Sequence, residues 1–99
     1  GLTWVFDAGA NGQHNWADAK MHCQALSYAG HDDWMLPSRS QLEEIYTQRA
    51  FFANVQAAWH WSSTACLGGG LLVSMENGDV TAGRETDTPC WVWPCRGGQ

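Results

Sequence analysis

Apolar and polar residues follow two helical repeats and then a strand-like alternation along this chain of 99 residues. Leu2-Thr3-Trp4-Val5-Phe6 is a short β-rich run, ended by the turn-prone Asp7-Ala8-Gly9-Ala10-Asn11-Gly12. Asn15 is placed to cap a helix over 16–29, in which Trp16, Ala19, Cys23 and Leu26 recur at i, i+3, i+7 and i+10. Asp18 falls near the positive end of its dipole, and Gly30 is a natural stop. His31 to Pro37 reads as a loop, because Pro37 disfavours a helical Leu36. Ser38 or Ser40 opens a second helix, each with a capping-box partner three residues on, Gln41 or Glu43. Leu42, Ile45, Tyr46 and Arg49 supply its inner stripe, and after about residue 52 the period becomes that of strands. Trp59-His60-Trp61-Ser62-Ser63 alternates, with both indoles on one face. Leu71–Met75 and Val80–Ala82 flank Glu76-Asn77-Gly78-Asp79, which reads as a hairpin on a type I′ Asn-Gly turn. Cys90–Arg96 reads as a last strand with Trp91, Trp93 and Cys95 on one face, where Pro94 marks an edge or a bulge. Two helices followed by antiparallel strands is an α+β pattern, expected as a single domain over 1–99.

With 44% hydrophobic and 15% charged residues, the composition is globular and poor in charge. Ten acidic residues against five basic ones give a net charge of −5. Binding nucleic acid needs a basic stripe that displaces counterions, so that class is set aside. Apolar runs such as Leu71–Val73 are far too short to cross a bilayer, so the chain is not expected to be membrane-embedded. Any export signal is expected to have been removed or to lie outside this sequence. Seven tryptophans exceed what one small core should need, since each buries roughly 150–250 Å². Some should remain at the surface, where tryptophan is a favoured contact residue.

Cys23, Cys66, Cys90 and Cys95 form an even set in a small chain, first read as two disulfides in an oxidising compartment. The rivals are a zinc site and ordinary free thiols. No Cys-x-x-Cys pair exists, and His14, His22, His31 and His60 show no ligand spacing with the cysteines. Asp33-Trp34 and Trp61-Ser62-Ser63-Thr64 could line a site, but are better read as a carboxylate and hydroxyls satisfying backbone amides around core indoles. Glu76-Asn77-Gly78-Asp79 vaguely resembles an acidic calcium loop to which Glu85 and Asp87 could add oxygens; its turn explains it without metal. His60 reads as an ordinary strand histidine, and His14 and His22 as surface residues. Ser62, His60 and Asp33 make a triad only on paper, because no nucleophile-elbow motif accompanies them. No metal and no cofactor are expected.

Several of these segments together resemble the Lcl C-terminal domain family, named for bacterial collagen-like adhesins. The resemblance is carried by Gly1-Leu2-Thr3-Trp4, Trp16-Ala17-Asp18-Ala19 with Cys23 and Leu26, Asp33-Trp34-x-Leu36-Pro37-Ser38, Leu42, Trp61-Ser62-Ser63-Thr64, Asn77-Gly78 and Val92…Arg96. Related domains occur in variable proteins of diversity-generating retroelements. The resemblance implies a C-type lectin-like α+β fold, two helices packed on a small antiparallel sheet. It also implies structural disulfides Cys23–Cys95 and Cys66–Cys90. Met35 and Trp93 stand where the family usually has arginines, and Cys95 replaces a valine. Those exchanges and the negative charge argue against a sulfated glycan. The similar cysteine spacing of copper-dependent formylglycine-generating enzymes suggests an oxidase at Cys90 and Cys95, which the other cysteines argue against as available disulfide partners.

The resulting expectation is an extracellular binding module, not an enzyme, of a larger bacterial or phage surface protein. Its ligand is a glycan or protein surface met by exposed aromatics, with Trp91, Trp93 and Met35 as the platform and Arg84, Glu85 and Asp87 as polar neighbours. The alternative is a structural or assembly domain, such as a homotrimerising cap or a pilus-associated module.

Overall fold

The computed structural model describes residues 2–84 and 89–97. In chain order the elements are β1 (Leu2–Trp4), β2 (Gln13–His14), α1 (Trp16–Ala25), α2 (Arg39–Tyr46), a 3-10 turn (Arg49–Phe51), β3 (Trp59–Cys66), β4 (Gly69–Ser74), β5 (Val80–Arg84), β6 (Cys90–Trp91) and β7 (Cys95–Gly97). Five strands form one sheet in the order β2-β6-β3-β4-β5, and β1 pairs with β7 in a second. Pairing is antiparallel except between β3 and β6, which run parallel at His60 and Trp91. The α+β class is therefore what the pattern predicted.

The helix starts lie where the caps put them. Asn15 accepts from the Asp18 amide at 2.9 Å. Ser38 takes the cap of α2: its hydroxyl accepts from the Gln41 amide, and Gln41 returns a bond to the Ser38 amide at 2.8 Å. The end of α1 differs from the sequence reading, which ran to residue 29. Trp16, Ala19 and Cys23 pack into one core, whereas Leu26 leaves the helix in an extended conformation and packs against another. Gly30 then serves a tight turn instead of a helix stop. Ala29 and Gly30 have φ of 53° and 81°, and Tyr28 and His31 exchange backbone hydrogen bonds across them, as in a type I′ turn.

The central sheet carries a core on each face. On one, the register partners Trp61 and Leu72 meet Trp16, Ala19 and Cys23 of α1. On the other, Val73 meets Leu42 and Ile45 of α2, together with Trp34 and Trp93. This two-sided burial consumes the tryptophans: Trp16, Trp34, Trp61 and Trp93 are buried, Trp4, Trp59 and Trp91 are half-buried, and none is exposed. The expected surface surplus is thus corrected. Each buried indole N–H donates to a backbone carbonyl, on Ser62, Tyr28, His14 and Val5 respectively. Gly70 and Gly83 face each other across β4 and β5 because the indoles need their space. A Cβ on Gly70 would collide with the Trp16 ring, and one on Gly83 would lie 2.5 Å from that of Trp61.

Two strand readings also change. The β4–β5 turn is not type I′, since only Gly78 has a positive φ; Ser74 receives the Gly78 amide and donates to Asp79, and Asn77 accepts from the Asp79 amide. The single strand expected over Cys90–Arg96 is broken at Val92-Trp93-Pro94, so β6 joins the large sheet and β7 the small one.

Candidate functional site

A cleft of about 580 Å³ lies between the end of α2 and the β4–β5 turn. Local chemistry builds its first wall. Thr47 ends α2, with its amide bonded to Glu44 and Ile45 and its hydroxyl donating to the Glu44 carbonyl at 2.7 Å. Arg49 folds back in the 3-10 turn and donates to the Tyr46 carbonyl at 2.7 Å, with its guanidinium 3.9 Å above the Tyr46 ring. A cation there also complements the negative end of the helix dipole. Phe52 then enters the second core edge-on to Trp93, at 5.3 Å between ring centroids. Backbone bonds from Ala53 to Phe6 and from Ala8 to Ala53 hold this segment against the N-terminal run. Asn54 stands at a left-handed φ of 56°, a conformation asparagine tolerates better than most residues.

The opposite wall comes from the sheet. The Met75 amide bonds to Ala58 and the Glu76 amide to the Ser74 hydroxyl, while the Tyr46 hydroxyl donates to the Glu76 carbonyl at 3.4 Å. Gly78, at φ 81°, leaves room for the Tyr46 ring. Phe52, Val55 and Met75 give the cleft apolar surface, and Thr47, Arg49, Asn54 and Glu76 give it polar groups of both charge signs. Beside it Phe51 is 78% and Phe6 58% exposed. These are the exposed aromatics that sequence reading sought among tryptophans. The sequence reading carried the helical stripe to Arg49 and a strand period from about residue 52, whereas the structure has a 3-10 turn at Arg49–Phe51 and no strand before Trp59; Phe51-Phe52 was the available signal.

The expected Trp91–Trp93 platform is not assembled. Trp93 is fully buried and donates to the Val5 carbonyl, so it is a core residue. Trp91 is half-buried in the large sheet opposite Gln13. Met35 is exposed, bonded through its backbone to Cys95 of β7. Arg84 lies on β5, separated from β6 by β3 and β4, or about 14 Å at normal strand spacing. Glu85 and Asp87 lie outside the described residues.

No disulfide joins the four cysteines in this structure, so the expected Cys23–Cys95 and Cys66–Cys90 pairings are not observed. The second pairing conflicts with the topology. Strand β6 meets β3 at His60, and Cys66 lies six residues farther on, about 20 Å away, against the roughly 4–7 Å between Cα atoms that a disulfide spans. Cys23 and Cys95 are buried near one another. Burial pushes both thiols up to about 12, and for Cys23 the neighbouring Cys95 adds to the effect. Burial also raises Cys90. Thiols held protonated in this way make poor nucleophiles and copper ligands, and Cys90 and Cys95 stand in different sheets.

The paper triad also dissolves. His60 is buried, its Nδ1 bonded to the Ala58 carbonyl at 2.9 Å and its Nε2 without a partner. Burial lowers its pKa to about 4, so it is neutral at physiological pH. The Ser62 hydroxyl donates to the Leu71 carbonyl. Asp33 receives two bonds from Arg96, at 2.6 and 3.1 Å, where backbone amides had been expected. That hydrogen bonding holds the Asp33 carboxyl below the usual range. His14 and His22 are half-buried and stacked at 4.7 Å, each bonded to Asn11, which corrects their reading as simple surface residues. Burial, and then His14, lowers the pKa of His22. Among the described residues no group of three or more His, Cys, Asp or Glu side chains could hold a metal ion, and no helix is long and apolar enough to cross a membrane.

The family model of the Lcl C-terminal domain matches residues 1–96. No curated protein matches the chain. The match spans nearly all of the sequence, and the chain belongs to the Lcl C-terminal domain family.

Proposed function

From this membership we propose that the chain is a ligand-binding module of a bacterial or phage surface adhesin, working outside the cell, and that its ligand sits in the cleft beside Phe52. The family is of adhesin type and is not a known enzyme family. The carrying observation is the cleft itself: apolar surface from Phe52, Val55 and Met75, with Thr47, Arg49, Asn54 and Glu76 at its polar margin. That is the composition of small-molecule and side-chain sites, apolar with a few placed polar groups. The C-type lectin-like layout belongs to the same proposal. Its support is that the first helix and the last strand approach each other at Cys23 and Cys95.

Attachment of domain-coated beads to cells tests this reading. The double variant Asn54→Gly, Glu76→Ala removes two polar cleft groups, and the glycine suits the left-handed backbone at 54. Lost attachment with unchanged melting is the expected result; equal attachment by the variant overturns the cleft. The assembly reading has its own observation. Among the described residues β5 is an edge strand of the large sheet, with Thr81, Ala82 and Arg84 exposed, a surface suited to pairing with another chain. Sedimentation as an obligate homotrimer would favour assembly, and a monomer favours the free binding module.

A further inference from the structure

We propose that the cleft takes a neutral saccharide, with one sugar face against Phe52 and its hydroxyls shared among Arg49, Asn54 and Glu76; this rests on reading the cleft as the binding site.

A sugar ring presents an apolar C–H face and a rim of hydroxyls, each able to donate and accept. The cleft offers the complement. Phe52 is held edge-on by Trp93, so its ring is already placed. Arg49 supplies donors only, Glu76 acceptors only and Asn54 both, which together satisfy a polyol with no net charge. One guanidinium nitrogen of Arg49 is bonded to Tyr46, which fixes the group and leaves its other N–H donors. Because a cation and an anion stand on the same cleft, neither a polyanion nor a polycation finds a uniform field there. The overall charge of −5 adds repulsion against sulfated or carboxylated polymers. A peptide would find the same apolar surface. However, the lining residues come from a helix end, a 3-10 turn, the irregular segment that leads to β3 and a hairpin turn, and none of them belongs to a strand whose edge could pair with an extended backbone.

The test is binding of the folded domain to immobilised neutral hexose and N-acetylhexosamine oligosaccharides, beside sulfated and sialylated counterparts. Wild type is compared with Asn54→Gly, with Glu76→Ala and with the control Gln24→Ala on the exposed side of α1. The expected result is saturable binding to a neutral oligosaccharide, weakened at least tenfold in each cleft variant, unchanged in the control and unaffected by a calcium chelator. Melting curves matching wild type show that the variants fold. Preference for the anionic sugars, or no binding to any neutral one, overturns the saccharide assignment. If attachment to cells still depends on Asn54 and Glu76 in that case, the cleft reading stands. Neutral-sugar binding that ignores both variants overturns the placement in the cleft as well.

Discussion

Acidification from about pH 7.5 to about pH 4.5 should destabilise this domain through His60, and the size of the effect follows from its burial. The imidazole has no solvent exposure, donates from Nδ1 to the Ala58 carbonyl, and offers Nε2 to no partner. A proton on Nε2 would be a charge inside the core beside Trp93, so the folded-state pKa falls from 6.5 to about 4. The unfolded chain takes up that proton as pH drops below about 6.5, while the folded chain refuses it until about 4. Stability from this group is thus fully present above the unfolded value and is lost between the two. By linkage the loss reaches about 2–3 kcal/mol at pH 4.5, a large share of the roughly 5–15 kcal/mol of an ordinary domain. Urea unfolding followed by tryptophan fluorescence should show the midpoint falling by roughly 1–2 M across this range. The comparison that isolates this group is with His60→Gln, in which the fall should shrink by most of that amount. A His60 pKa near 6.5 by NMR, or the same pH dependence in the variant, would refute the reasoning.

Three further outcomes are expected. Trp93→Ala should cost about 3–5 kcal/mol and lower the melting temperature steeply, as for any large core aromatic; loss of ligand binding at unchanged melting would restore Trp93 to a surface platform. Gly83→Ala drives a methyl against the Trp61 ring and should cost about 1–3 kcal/mol, read as a drop in melting temperature, whereas an unchanged curve would show that the sheet has slack there. Brief alkylation of the native protein should label Cys66, the half-buried thiol, and spare Cys23, Cys90 and Cys95, with four adducts once the chain is denatured without reductant. Fewer than four adducts in the denatured sample would show that a disulfide forms.

Local signals along the chain determined its local structure. Asn15 and Ser38 start the helices because a short oxygen-bearing side chain can bond an otherwise unpaired amide one turn on, and this needs no distant partner. The alternation through Trp59 and Trp61 put both indoles on one face, and the family motifs around Asp33 and Trp61 marked the family itself. What lies on the far side of each element was not written locally. Leu26 continues the apolar stripe of α1, yet leaves the helix because a second core, assembled from Val5, Leu42, Val73 and Trp93, can bury it. The tryptophan count suggested a surface surplus only because one core was assumed; a sheet buried on both faces has room for them all. Trp91 and Trp93 were placed together by a strand period that in fact stops at Trp91, because the chain passes from one sheet to the other through Val92-Trp93-Pro94. The cleft could not be read from sequence for the same reason. Its walls, at Thr47 to Ala57 and at Met75 and Glu76, meet only when α2 docks on β4, and that contact is decided by burying Leu42 and Ile45 against Val73 and Met75, partners far apart in the sequence.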